Sequence, residues 1–220
     1  MSETFFGDPE YYARWAKAYD AMIGSRLYNK VFWGTDPRQY SMFAARAIGS
    51  GQGPLLEVAA GTAQATATLH VASARETTLV DMSAAMLELA GESIASAAGG
   101  RLPERITLEC RDMLAPAGHR RYETILGLGL LHLVPDVAAT VDALGRQLEE
   151  HGKMYLASLV KGSARSNACL ALLKAHGDIA RIRTASELFD EVRAGGLGPV
   201  TLARRGAMAY VEISRRPRSR

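Results

Sequence analysis

Glu57, Gly61 and Asp81 are the residues of this chain whose types and spacing point most directly to chemistry. Glu57 lies in an apolar run, Leu55-Leu56-Glu57-Val58-Ala59, that passes into the small-residue turn Ala60-Gly61-Thr62-Ala63. Asp81 follows Gly61 by twenty positions, at the end of a second apolar run from Thr77 to Val80. A strand, a tight turn that lets backbone approach a ligand, a helix and a second strand ending in an acid make a nucleoside-binding βαβ unit. The acid accepts hydrogen bonds from ribose hydroxyls. Glu57 narrows the choice of ligand. A carboxylate beside the turn repels a dinucleotide pyrophosphate, which helix N-terminal amides otherwise hold. Ala59 and Ala63 also stand where two glycines of the phosphate-binding pattern would be. The expected ligand is a nucleoside with positive charge and no phosphate.

The elements that must position these residues follow from periodicity and punctuation. Residues 9 to 25 read as a helix with Tyr11, Trp15 and Tyr19 on one apolar stripe. Asp36-Pro37 opens a second helix that runs to about Gly49. Strands are expected at 55–59, 77–80, 106–110, 124–128 and 153–160, with helices at 62–72, from Ser83 to about Ala98, and from Asp136 to Gly152. A helix over 164–176 looks like an insertion, residues 178–183 read as a solvated linker, and Thr184-x-x-Glu187 is a capping box for a further helix. Two closing strands, near 200–203 and 207–214, are separated by so short a turn that they must pair antiparallel. Strands alternating with helices mean an α/β, doubly wound parallel sheet.

Composition bounds the rest. A chain of 220 residues is expected to fold as one domain around a sizeable core. No apolar run approaches the length of a membrane span, and the first residues, with Glu3, Asp8 and Glu10, lack the layout of a secretion signal. A cytoplasmic protein without membrane contact is expected. The net charge of +3 is more than accounted for by Arg215, Arg216, Arg218 and Arg220, so the body is slightly acidic and nucleic acid is not an expected partner. Cys110 and Cys169 have no metal-ligand spacing, and Cys110 reads as a small core residue. His70, His119, His151 and His176 are scattered and read as surface or loop residues, so no metal is expected.

Four segments, in this order and spacing, carry a resemblance: Leu55-Leu56-Glu57-Val58-Ala59-Ala60-Gly61-Thr62-Ala63; Val80-Asp81-Met82-Ser83-Ala84-Ala85-Met86-Leu87; Arg111-Asp112-Met113; and the run from Tyr122 through Gly127-Leu128-Gly129 and His132 to Asp136. Together they resemble class I S-adenosylmethionine-dependent methyltransferases, within the small-molecule branch of ubiquinone/menaquinone-biosynthesis and natural-product enzymes. The resemblance implies a Rossmann-like seven-stranded sheet with the last strand antiparallel. An N-terminal helical lid, residues 1–50, would lie over a core of residues 51–220. The implied cofactor is S-adenosylmethionine, whose sulfonium and ammonium agree with the cationic nucleoside read from Glu57. Carried over by position, Glu57, Ala59, Gly61 and Thr62 line its methionine end, Asp81 takes the ribose, and Met82 packs on the adenine. Asp112 and Met113 lie at the adenine amino group, backbone at Gly127 and Leu128 meets the ammonium, and Tyr19 closes over the cofactor.

Methyl transfer from a sulfonium requires alignment, exclusion of water and, for a hydroxyl or amine acceptor, removal of a proton. His132 follows the fourth strand and is the candidate base; the alternative is a histidine that packs the loop or caps the helix from Asp136. Eleven of the fifteen aromatic residues precede position 44. Among them Tyr11, Trp15, Tyr28 and Trp33, with His132, are the candidate walls of an acceptor site, because tyrosine hydroxyls want polar partners when buried. The acceptor expected is a small apolar or aromatic compound methylated at oxygen, nitrogen or carbon. The rival reading is the same fold holding the cofactor without methyl transfer, as a cyclase or a regulatory binding protein. The sequence does not indicate an oligomeric state.

Overall fold

A cap residue precedes nearly every helix of the computed structural model, which describes residues 25–115 and 118–216. Ser25 caps a short helical segment, Arg26–Tyr28, that continues as a π-helix over Asn29–Trp33 and closes at a left-handed Gly34. Asp36 caps α1 (Pro37–Ile48), accepting from Arg38 N, with proline in the first turn where its missing N–H costs nothing. The order thereafter is β1 (Leu55–Val58), α2 (Ala67–Ala72), β2 (Thr77–Asp81), α3 (Ala84–Ala97), β3 (Ile106–Cys110) and β4 (Tyr122–Gly127). Then come α4 (Val137–Gly145), β5 (Leu148–Leu159), α5 (Ala164–His176), α6 (Ala185–Ala194), β6 (Val200–Arg205) and β7 (Met208–Ser214). Ser83, Asp136 and Ser163 cap α3, α4 and α5 through their side chains, and Thr184 with Glu187 forms the complete capping box of α6.

The strands make one sheet in the order β3-β2-β1-β4-β5-β7-β6. β1 pairs in parallel with β2 and β4, and β7 pairs antiparallel with both β5 and β6. This is the α/β, doubly wound seven-stranded sheet expected from the sequence. All four residues of β1 are buried, as a central parallel strand covered on both faces requires. On one face α1 sets Ala44, Ala47 and Ile48 on Leu55, Leu126 and Tyr155, while α3 and the start of α2 cover Leu79 and Ile106. On the other, α4 and α6 place Val137, Val141, Leu144, Leu188 and Val192 against Leu56, Val58, Ile125, Leu156 and Val211. At the amino edge the buried Arg75 binds strand entrances together, donating to Ile48 O (3.0 Å), Gly53 O (2.7 Å) and Thr124 Oγ1 (2.9 Å).

Three sequence expectations are corrected here. The helix expected over 62–72 begins only at Ala67, because Ala63 is left-handed (φ 53°) and residues 62–66 form turns. The helix expected to run to Gly152 ends at Gly145, and β5 starts at Leu148, where it pairs with Tyr122. A register shift between Tyr122 and Thr124, with His151 at φ 66°, absorbs the extra residues. The expected solvated linker at 178–183 is anchored in the protein, with Ile179 and Arg183 each only 2% exposed. Among the described residues no helix is long and apolar enough to cross a membrane.

Candidate functional site

The carboxyl ends of β1, β2 and β4 meet at the turn after β1. Ala60 N donates to Val80 O (3.1 Å), tying that turn to β2. Gly61 N donates to Asp81 Oδ2 and Ser83 N to Asp81 Oδ1, both at 2.9 Å. One carboxylate thus joins the turn to the start of α3. Each of its oxygens takes a single backbone donor and keeps further accepting capacity for a ligand. Gly61 is left-handed (φ 55°), and a methyl group built on it would meet nothing within 4 Å among the described residues. The turn therefore presents an open face beside a fixed acid, which fits the ribose of a nucleoside.

Ala59 and Ala63 share that left-handed geometry, at φ 50° and φ 53°. An alanine held there costs roughly 1 kcal/mol relative to an unstrained conformation. Ala63 recovers part of this by burying its methyl group among Ala67, Leu79 and Leu87. Ala59 is only partly buried. Ala59→Gly is expected to stabilise the protein by about 1 kcal/mol, a rise in Tm of roughly 2–4 °C for a domain of this size. A lowered Tm in a thermal melt would count against the strained turn.

At the ends of β2 and β3 the register pairs Asp81 with Cys110, so the residues that follow each strand emerge side by side. Met82 is 56% exposed, and Asp112 Oδ1 accepts from Leu114 N at 2.8 Å. Leu114, with Met82, offers an apolar surface that the sequence reading did not single out. Met113 turns inward: its carbonyl accepts from Gln147 Nε2 at 2.8 Å and its side chain packs on the core. Thr62 is buried in the turn. Cys110 is exposed rather than a core residue, its Sγ lying 3.5 Å from Met82 O. It ends an edge strand whose last residue faces outward.

Glu57 does not line an open pocket. It is buried, with Thr66 Oγ1 donating to Oε1 at 3.1 Å and His70 Nε2 against Oε2. His70 is correspondingly not a surface residue but the buried partner of Glu57, placed there by the single turn and a half of α2. Gly127 is required by packing: a methyl on it would lie 2.9 Å from Leu130 and Leu156 side chains. Leu128 packs toward α1.

His132 sits on the loop that leaves β4. Its Nδ1 accepts from Leu159 N at 3.3 Å, so the neutral ring carries its proton on Nε2. Burial, and then the Arg183 guanidinium, push its pKa down from 6.5 to about 4. Nδ1 is thus engaged by the backbone of β5, and the ring's affinity for a proton is lowered. In this structure the ring is a neutral residue joining the loop to β5. Arg183 holds the same loop from behind, donating to Leu131 O (3.0 Å), Val134 O (3.2 Å) and Pro135 O (2.9 Å). As pH falls, the unfolded chain binds the His132 proton near 6.5 and the native one only near 4. The stability from keeping the ring neutral is full above 6.5 and is lost progressively down to 4, up to about 3 kcal/mol. Urea unfolding at several pH values is expected to show this slope in the native protein and a shallower one in His132→Gln. Equal slopes would refute the assignment.

Tyr28 and Trp33 gather with Leu133, Leu170 and Ile179, so the helical segment after Ser25 meets α5 beside the His132 loop. Burial raises the Tyr28 pKa. Phe43 packs on Tyr155 and Tyr210 over the sheet. Tyr11, Trp15 and Tyr19 lie outside the described residues. Among those residues no cluster of His, Cys, Asp and Glu is arranged to hold a metal ion.

Sheet order and a single antiparallel strand match the Rossmann-like fold found in solved structures of S-adenosylmethionine-dependent methyltransferases. Among solved structures the chain is similar to DhpI in complex with SAH, at 19% identity and TM-score 0.69, over 99% of this chain and 100% of that one. It is similar to the [4+2]-cyclase SpnF at 16% identity and TM-score 0.69, over 98% of each chain. A third neighbour is geranyl diphosphate C-methyltransferase from Streptomyces coelicolor, in complex with Mg2+, geranyl diphosphate and S-adenosyl-L-homocysteine. It gives 15% identity and TM-score 0.64, over 90% of this chain and 88% of that one. At these identities the likeness is one of fold. No family model matches the chain, and no curated protein matches it in sequence.

Proposed function

We propose that this protein is an S-adenosylmethionine-dependent methyltransferase acting on a small organic acceptor at oxygen, nitrogen or carbon. The observation that carries the reading is Asp81, fixed by Gly61 N and Ser83 N beside a turn whose outer face no described residue covers. When bound, the cofactor supplies an activated methyl group. Asp81 accepts from the two ribose hydroxyls, Met82 and Leu114 flank the base, and Asp112 receives its amino group. Ala59, Gly61 and Thr62 shape the turn at the methionine end, below which Glu57 places negative charge. Gly127 and Leu128 contribute backbone at the end of β4. Tyr28 and Trp33, with the loop of His132, border the acceptor side. Water is kept out on this side by aromatic and aliphatic surface, which suits an apolar or aromatic acceptor.

The likeness in fold to SpnF, a [4+2]-cyclase, supports a second reading, in which the same site holds the cofactor without methyl transfer. Calorimetric titration with S-adenosylmethionine and S-adenosylhomocysteine, then incubation of labelled cofactor with small molecules from the host, separates the two. Label in an acceptor supports transfer. Tight binding without transfer supports the second reading, and absence of binding ends both.

A further inference from the structure

Beneath the turn after β1 two ionisable side chains are buried against each other. Glu57 is 2% exposed and His70 1%. Both carboxylate oxygens are engaged, one by Thr66 Oγ1 at 3.1 Å and the other by His70 Nε2. His70 Nδ1 is buried and has no hydrogen-bond partner among the described residues. An unmet buried polar atom costs about 1–3 kcal/mol, which a leucine at this place would avoid, so packing alone does not account for a histidine. Arg105 donates to His70 O (3.0 Å) and Val71 O (2.9 Å), contacts with the helix backbone and not with the ring. An imidazolium would bury a second, unmatched N–H at Nδ1. Donation from Nε2 to the carboxylate leaves only a lone pair there.

We propose that His70, assisted by Thr66, is a positioning residue that fixes the Glu57 carboxylate under the cofactor turn, and that this fixed charge makes the site prefer a sulfonium nucleoside to its uncharged thioether. The inference rests on the cofactor reading above. Glu57 cannot reach a ligand, because its oxygens are committed and buried. It acts across the Ala59–Gly61 turn through its field, which costs no reorganisation when a cation arrives. Ligands that differ only at sulfur isolate this effect, since S-adenosylmethionine and S-adenosylhomocysteine share every other group.

The experiment is calorimetric titration of the full chain with those two ligands, in the native protein, Glu57→Gln, His70→Gln and His70→Leu, each checked for folding by its thermal transition. Glu57→Gln is expected to lower the affinity ratio of sulfonium over thioether by about tenfold, the scale of one charge acting over several ångströms through a protein-like dielectric. His70→Leu should move the ratio the same way, and His70→Gln, which keeps an N–H for the carboxylate, should restore most of it. Equal weakening of both ligands, or an unchanged ratio in Glu57→Gln, overturns the proposal even if His70→Leu does not fold. Failure of the native protein to bind either ligand instead removes the cofactor reading, and this inference with it.

Discussion

Asp81→Ala is expected to weaken binding of S-adenosylmethionine and S-adenosylhomocysteine by about a hundredfold or more. Two contributions add. The ribose loses an anionic acceptor, and hydrogen bonds to charged groups contribute roughly 1.5–3 kcal/mol each. The turn loses its tether as well, because Gly61 N and Ser83 N both donate to this one side chain at 2.9 Å. Asp81→Asn separates the two. Its amide oxygen still accepts one N–H, so it should bind better than the alanine variant and worse than the native protein. Titration calorimetry reads all three, and equal affinity of native protein and Asp81→Ala would remove Asp81 from the site.

The largest effect on stability is expected at Arg183. Its guanidinium is buried, donates to three carbonyls of the 131–135 loop, and pairs with Glu191 Oε2 at 2.8 Å. Arg183→Ala leaves those acceptors unmet and removes one of the two arginines, Arg181 and Arg183, that pair with Glu191, at a cost of about 3–5 kcal/mol. That is a large share of the roughly 5–15 kcal/mol that holds a domain together. Arg183→Lys keeps the charge but not the planar fork, and should lose less. Urea unfolding reads both variants; a loss below about 1 kcal/mol in Arg183→Ala would show that the loop is held by other contacts.

What the sequence made legible was local. Caps at Asp36, Ser83, Asp136 and Thr184 fixed helix starts, and the short turn before Met208 required an antiparallel pair. Asp81 was readable because a strand and its terminal acid are one continuous segment. The errors were in relations between distant segments. Glu57 and His70 are thirteen positions apart, on a strand and the helix beyond a turn, and neither periodicity reports that they face each other. Helical continuity from Thr62 presumed ordinary backbone at Ala63, whereas the turn forces it left-handed. Arg183 lay in a polar stretch that reads as solvated, and its acceptors are carbonyls some fifty positions earlier. Burial of an arginine by backbone acceptors leaves no composition signal. Leu114 was missed because a single leucine after Asp112 belongs to no pattern.

The placement of β7 between β5 and β6 bears on how the chain matures. β6 is made before β7 on the ribosome, yet has no neighbour in the sheet until β7 arrives to pair with it on one side and with β5 on the other. The same hairpin receives the early segment, since Ala207 N donates to Trp33 O at 2.7 Å. This edge of the sheet therefore assembles last, through contacts of long sequence separation that form slowly. Nascent chains stalled before residue 208 would expose β5 as an open edge, the form of this protein most prone to aggregate during synthesis.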